Sequence, residues 1–306
     1  MSTTELGQKD YTVDEAFAYC AGVTEAHYEN FPVASLFLPQ EKRPYIQAIY
    51  AFSRTADDFA DELLIPQEER LARLDDWEAQ LVQCYEGKAT HPVFIALNET
   101  VAKHGIPIEL LKDLLTAFRR DVTQNRYESF DDLLSYCKCS ANPVGRLVLL
   151  IFNQKDEKLF SLADHICTAL QLTNFWQDLA VDRTKDRLYV PLEDMKMHEY
   201  TLEDWSTGVI DSRFKKLMRF EAERTREMFY HGAELPAIVE KELQIELRLV
   251  WFGGMAILKK LDRNGYDVVR RRSTLGAFDK FMIFTRAFFH NDLTRFGRKK
   301  KPWDLT

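Results

Sequence analysis

The sequence predicts an all-α protein, and three features of its composition and pattern indicate this fold class. Glycine and proline are scarce, at 12 and 10 of 306 residues. Long stretches are rich in Ala, Gln, Glu, Leu and Arg, which favour helix. Apolar residues in these stretches recur every three or four positions, as on the buried face of a helix. Because no Pro-, Gly- or Ser-rich linker divides the chain, we predict one domain over residues 11–296, between a flexible N-terminus (1–10) and a basic tail (297–306).

Proline, glycine and capping residues mark where many of the predicted helices begin and end. Thr12 is an N-cap ahead of two acids, Pro44 lies in the first turn of its helix, and Gly87 follows a helix end. Asn142-Pro143 is either a kink in one helix or a boundary between two. The predicted helices are, in chain order, Thr12–His27, Ile46–Glu62, Pro66–Gly87, Pro92–His104, Pro107–Tyr127, Phe130–Phe152, Ile166–Asp182, 199–207, Asp211–His231, Pro236–Leu261 and Leu275–Phe296.

The helix Ile46–Glu62 carries a polar stripe on an otherwise apolar surface. Tyr50, Arg54, Asp57 and Asp61 are spaced so that they share one face. Two carboxylates one turn apart on a largely buried helix repel each other, by about 4 kcal/mol at ~4 Å in a protein-like dielectric. A cation is therefore expected beside them.

A second polar stripe lies in the apolar helix Ile166–Asp182. Gln171, Asn174, Asp178 and Asp182 again share one face. Two Asp-x-x-x-Asp pairs that face each other across a cavity would suit Mg²⁺, with phosphate oxygens completing the coordination. One such pair alone is more often a solvated helix face. Two pairs, each aligned with other polar groups on an apolar helix, favour the metal site.

Charge and cysteine content exclude several classes of function. The formal net charge of −7 argues against general nucleic-acid binding. No run of about 18 apolar residues is present, so no membrane-spanning helix is predicted. The five cysteines have no framework spacing and the N-terminus no signal peptide, so we expect reduced thiols in a cytoplasmic protein.

These motifs resemble those of the squalene and phytoene synthase family, over residues from about His27 to about Lys280. The first family motif matches Tyr50–Glu62 and the second matches Gln171–Asp182, followed by Arg187-Leu188-Tyr189. Three shorter segments resemble the hydroxysqualene-forming branch of the family. They are His27–Ser35, Ser140–Leu147 and Asn174–Asp178.

The resemblance implies a fold and a site. The fold is a single-domain isoprenoid-synthase-type helical bundle with a central lumen. Asp57, Asp61, Asp178 and Asp182 are implied to hold Mg²⁺ and diphosphate. Three arginines are implied to clamp the phosphates: Arg54, Arg187 and Arg271. The positions that match pocket-lining residues are Tyr50, Tyr136, Gln171, Asn174 and Tyr189.

The resemblance also implies a reaction. Presqualene diphosphate would ionise and rearrange, and water would capture the cation to give hydroxysqualene. Gln177 stands where many relatives carry Arg, and Lys138 and Gly254 stand where some carotenoid-forming relatives carry an aromatic residue, which argues against a phytoene or dehydrosqualene synthase. The alternatives are condensation of two farnesyl diphosphates to presqualene diphosphate or squalene, a phytoene or dehydrosqualene synthase, and an inactive paralogue that scaffolds a partner synthase.

The C-terminal tail and the apolar product suggest which partners the protein contacts. The basic tail is either a solvated end or a weak electrostatic contact with anionic lipid, which would place the protein peripherally at the inner membrane surface. Functional coupling to other squalene-pathway enzymes is a further expectation from the resemblance.

Overall fold

The computed structural model describes residues 11–26, 38–62, 64–268 and 272–296. Within these ranges the regular structure is helical and includes no β-strand, so the prediction of an all-α fold is confirmed. The helices are, in chain order, α1 (Val13–Ala26), α2 (Arg43–Asp61), α3 (Gln67–Tyr85), α4 (Pro92–His104), α5 (Ile108–Thr123), α6 (Phe130–Ser140), α7 (Asn142–Ile151), α8 (Glu157–Thr184), α9 (Leu192–Met197), α10 (Leu202–Thr207), α11 (Ser212–His231), α12 (Leu235–Ile238), α13 (Lys241–Arg263), α14 (Ala277–Phe289) and a terminal 3-10 helix (Thr294–Phe296).

Most helix ends follow the capping signals in the sequence, but α8 begins at Glu157 rather than Ile166 and α14 ends at Phe289 rather than Phe296. Asn142-Pro143 is a boundary between α6 and α7, since Ala141 separates the two helices. The predicted helix over 236–261 is divided into α12 and α13, and α9 was not predicted. Short helices such as α9 and α12 carry too little periodic sequence to be recognised.

The chain divides into two compact units. The first contains α1–α5 together with Leu150–Asn153, and the second contains the rest of the described chain from Gln124 onwards. The single domain predicted over residues 11–296 stays a prediction, as does the central lumen. The predicted segments 1–10 and 297–306 lie outside the described residues.

In the first unit, α2 packs against α1, α3, α4 and α5. Its apolar face is buried against an aromatic cluster in which Trp77 and Phe94 lie 4.4 Å apart between ring centroids. The indole of Trp77 donates a hydrogen bond of 3.3 Å to the carbonyl of Phe52. This core fixes which side of α2 remains accessible, and that side carries the acids.

In the second unit, α8 packs against α6, α11, α12 and α13. Asp156 caps its start by accepting a hydrogen bond of 2.7 Å from the amide of Lys158. Trp176 and Leu172 are fully buried within it. Each unit thus has one of the two acidic helices at its centre. No helix in the described ranges has both the length and the hydropathy to cross a bilayer.

Candidate active site

The predicted polar residues of the first motif all lie on α2. Tyr50, Arg54, Asp57 and Asp61 are half-buried, while the opposite face of the helix is buried. The Arg54 guanidinium lies 3.3 Å from the Asp57 carboxylate and 2.6 Å from that of Asp58. Arg54, on the same helix, thus supplies positive charge beside Asp57, and the Mg²⁺ expected beside these acids stays a prediction. Since the Asp57 side chain is 40% exposed, solvent also weakens the repulsion between the acids.

The second motif lies on α8, with its four polar residues on the accessible side. Gln171, Asp178 and Asp182 are half-buried, and Asn174 is exposed. Arg272 binds Asp178 through two parallel contacts, Nε–Oδ1 at 2.5 Å and Nη2–Oδ2 at 3.0 Å. This fork is the preferred geometry of an arginine on a carboxylate. Arg272 therefore supplies a positive charge at Asp178.

Arg272 is held at Asp178 by the anchoring of the residues that follow it. The Gln177 side-chain amide donates a hydrogen bond to the carbonyl of Ser273. The Asn264 amide donates to the Ser273 hydroxyl at 3.1 Å, and Lys260 donates to the carbonyl of Thr274 at 2.6 Å. Gln177 thus has a structural partner in this chain. The predicted diphosphate ligand Arg271 lies outside the described residues.

A basic cavity of about 200 Å³ adjoins Arg272. Three of its lining residues are cationic and three are polar. They are Lys260, Arg263, Arg272, Asn264, Ser273 and Thr274. Two of the cations already have acidic partners, since Lys260 pairs with Asp279 at 2.5 Å and Arg272 pairs with Asp178.

The segment after α8 places Arg187 beside Asp182. The amide of Arg187 donates to the Asp182 carbonyl at 2.9 Å, after a turn in which Asp186 has φ 53°. The neighbouring Leu188 amide donates to the carbonyl of Asn125 at 3.0 Å. Arg126 forms a further ion pair with Asp186. Residues 124–128, which read as a polar helix end in the sequence, thus hold the Arg187 loop in place.

Four buried aromatic rings lie together in the second unit. Phe175 of α8 stacks on Tyr189 with centroids 3.7 Å apart and planes 6° apart. Tyr136 lies 5.9 Å from Tyr189, and Tyr127 stacks on Tyr189 at 5.6 Å. The structure therefore brings together two predicted pocket residues, Tyr136 and Tyr189. Phe175 and Tyr127 complete a surface of ring faces, which attract cations through the ring quadrupole.

A buried ionic group supports α8 from behind. The Trp176 indole donates to the Thr225 hydroxyl at 2.8 Å, on the turn of α11 that follows Glu221. Arg224 lies between two buried carboxylates, 2.7 Å from Asp194 and 2.6 Å from Glu221. Burial raises the pKa of Glu221 to about 8, although Arg224 opposes that shift. The group joins α9 to α11 and so fixes the loop that carries Arg187.

The carboxylates suit a hard cation in their chemistry. Asp57 and Asp61 lie one turn apart on α2, as do Asp178 and Asp182 on α8, and oxygen ligands are those that Mg²⁺ prefers. The guanidinium on Asp178 occupies a position where a cation is favoured. Within the described ranges, no three His, Cys, Asp or Glu side chains are grouped closely enough to hold a metal by themselves. That the two acidic stripes face each other stays a prediction.

Comparison with known proteins identifies the family. The model of the squalene/phytoene synthase family matches residues 24–279. The chain belongs to the squalene/phytoene synthase family. Among family members, the hydroxysqualene synthase of Zymomonas mobilis is 36% identical over 72% of this chain and 75% of its own length. The phytoene synthase of Arthrospira platensis is 28% identical over 90% of this chain and 93% of its own length.

A solved structure agrees with this assignment. The squalene synthase HpnC from Alicyclobacillus acidocaldarius is 38% identical, with a TM-score of 0.79 over 83% of this chain and 95% of its own. The family acts on prenyl diphosphates such as farnesyl diphosphate, so the chain is of the isoprenoid synthase type. The predicted family and fold type are thereby confirmed.

Sequence reasoning missed several residues that contact the predicted site. Arg272 was overlooked in favour of its neighbour Arg271, although the run of three arginines was a visible signal. Asp58, which lies beside the stripe on α2, pairs with Arg54. Phe175 could not be found from sequence, because no local pattern shows that it stacks on Tyr189.

Proposed function

We propose that this chain is a hydroxysqualene synthase, which ionises presqualene diphosphate, rearranges the cation and captures it with water. The 36% identity to a hydroxysqualene synthase carries this choice of branch, since it exceeds the 28% identity to a phytoene synthase. The hydrogen bond from Gln177 to the Ser273 carbonyl is a second support, because it gives this chain's departure from the usual Arg a role in positioning Arg272.

The arginines and acids serve the leaving group in this proposal. Arg54, Arg187 and Arg272 bind diphosphate oxygens, and arginine suits them because its planar fork makes two parallel hydrogen bonds. The four aspartates, Asp57, Asp61, Asp178 and Asp182, would hold Mg²⁺. When bound, Mg²⁺ supplies positive charge that offsets the charge developing on the departing diphosphate. Arg272 leaves Asp178 as its guanidinium turns to the diphosphate.

The aromatic cluster serves the carbocation. The carbon–oxygen bond breaks with its electron pair going to diphosphate, which leaves a cyclopropylcarbinyl cation. The ring faces of Tyr136, Phe175 and Tyr189 stabilise this cation and exclude bulk water while it rearranges. One water then forms the new carbon–oxygen bond and gives up a proton to solvent. No reductant enters this balance.

Two incubations of purified protein with Mg²⁺ and without NADPH test the proposal. One receives presqualene diphosphate, the other farnesyl diphosphate, and mass spectrometry identifies the products. We expect hydroxysqualene from the first and no coupled product from the second. Presqualene diphosphate or squalene formed from farnesyl diphosphate would instead establish condensation. The squalene synthase name of the 38% identical structure makes condensation the second candidate.

Substitutions of the acids separate an active enzyme from a scaffold. Asp57→Asn and Asp178→Asn should each lower kcat by about a hundredfold or more, the usual effect of removing one group that stabilises transition-state charge. Glu62→Gln is the matched control, because Glu62 is the last residue of the same motif and its carboxylate pairs with Arg73 at the surface. Circular dichroism checks that each variant folds. Unchanged activity in both aspartate variants would contradict the assignment of these aspartates to the active site.

Functional coupling to other enzymes of the squalene pathway stays a prediction.

A further inference from the structure

Helix α14 presents a row of phenylalanines to solvent. Phe278, Phe281, Phe284, Phe288 and Phe289 are 75%, 62%, 41%, 63% and 77% exposed. At 100° per residue these five side chains share one side of the helix. A surface helix usually buries its apolar side against the core, whereas α14 exposes its phenylalanine side to solvent.

Contacts on the other side of α14 fix this orientation. Asp279 pairs with Lys260 of α13 at 2.5 Å, and Ile283 and Ala287 are buried. Just beyond the helix, Arg248 of α13 donates a hydrogen bond of 2.7 Å to the Asn291 side chain. Rotating the phenylalanines inward would break these contacts, so their exposure is a property of the packed helix.

The five exposed rings lie along one side of the helix, and we call this surface the Phe face of α14. Phe284 stacks on Phe288 at 6.4 Å, and Phe288 meets Phe289 edge-on at 5.6 Å. Together the five leave about 600 Å² of aromatic surface in water, at about 200 Å² per ring residue. That is at the upper limit for the largest apolar patch of a soluble monomer. The family match ends at residue 279, so most of this face lies beyond it.

The charges beside the Phe face are positive. Lys280 and Arg286 are exposed on its two sides, whereas Arg295, although its side chain is 82% exposed, pairs with Asp292 at 3.0 Å. From Lys280 to the end, the sequence has seven Lys and Arg residues and two Asp residues, in a chain of net charge −7. The only acid within α14 is Asp279, which is paired on the opposite side of the helix.

We infer that the Phe face of α14 docks on the surface of an anionic lipid bilayer. Aromatic residues on one side with cations beside them are the composition of helices that lie in the membrane interface. Anionic headgroups complement Lys280 and Arg286, whereas a second copy seated on the same face would bring like charges together. Docking does not depend on which reaction the chain catalyses, so the two can fail separately.

Vesicle co-sedimentation of the full chain tests the inference. The probes are phosphatidylcholine vesicles with and without phosphatidylglycerol, at low and high salt. The triple variant Phe281→Ser/Phe288→Ser/Phe289→Ser removes apolar surface from an exposed side and so should keep its fold by circular dichroism. Leu64→Ser/Met197→Ser is the matched control, because these residues are 99% and 66% exposed elsewhere.

We expect the wild type and the control to bind anionic vesicles, and the triple variant to bind about tenfold more weakly or worse. Lys280→Gln/Arg286→Gln should weaken binding severalfold on anionic vesicles only, and high salt should mimic it. Equal binding by the triple variant and the wild type would overturn the inference. The inference would also be overturned if the wild type were a dimer and the triple variant a monomer, and neither protein bound vesicles.

Discussion

Replacing Gly254 by alanine should destabilise the protein, whereas the same change at Gly253 should not. A Cβ added at Gly254 would lie 2.2 Å from Cζ of Phe229, and 3.0 and 3.1 Å from Cε1 and Cε2. At Gly253 an added Cβ meets nothing within 4 Å. The two positions are neighbours inside α13, so the gain in helix propensity of about 1 kcal/mol is common to both.

The size of the difference follows from the surroundings of Phe229. Its ring is fully buried and lies 6.2 Å from that of Trp251, edge-on, while the Trp251 indole donates to the Phe229 carbonyl at 2.7 Å. The ring must move by about 1 Å or more to reach ordinary contact distance from the new methyl group. Overpacking of this kind costs about 1–3 kcal/mol, which is the predicted difference between the two variants.

Urea unfolding followed by circular dichroism measures this difference as a change in midpoint at constant slope. Adding Phe229→Leu to Gly254→Ala should recover part of the loss, because the smaller side chain vacates the contested space. Equal stability of Gly254→Ala and Gly253→Ala would refute the inference that the Phe229 ring leaves no room for a side chain at position 254.

Three further predictions concern the charged and aromatic groups. Glu221 has a raised pKa in the folded state, so it binds more protons when folded. The free energy of unfolding should therefore fall as pH rises from about 4.5 towards 8, by up to ~1.4 kcal/mol per pH unit. In urea titrations at a series of pH values, Glu221→Gln should flatten this fall, whereas the control Glu223→Gln should not. Arg272→Gln should release the Asp178 carboxylate and so strengthen Mn²⁺ binding severalfold, as measured by electron paramagnetic resonance. Arg263→Gln leaves the pair of Arg272 with Asp178 intact and should not change Mn²⁺ binding. Equal Mn²⁺ binding by the two variants would contradict the idea that Arg272 and the metal ion compete for Asp178. Tyr189→Leu should lower kcat more than it raises KM, and a change confined to KM would contradict a role in stabilising the cation.

The elements that sequence predicted best are those with a strong local pattern. α2 and α8 combine an apolar face with a polar stripe, and the stripe residues were named because helical spacing is fixed. Pro92 and Gly105 delimit α4 as predicted, since proline suits a first turn and glycine adopts the left-handed conformation that ends it, here with φ 63°.

The features that could not be predicted from sequence depend on contacts between residues far apart in the chain. The fork between Arg272 and Asp178 joins positions 94 apart, and no local rule selects Arg272 over Arg271. The stack of Phe175 on Tyr189 requires the loop geometry set by Asn125. The helix that became α14 was predicted, but the side that faces solvent is decided by its contacts with α13.

Capture of the cation by water is the central claim, and isotopic labelling tests it most directly. Presqualene diphosphate is incubated with the protein and Mg²⁺ in water enriched in heavy oxygen, and the product is analysed by mass spectrometry. The account predicts hydroxysqualene whose hydroxyl carries the label in proportion to the enrichment. A product without labelled oxygen, or a hydrocarbon formed only when NADPH is added, would contradict it.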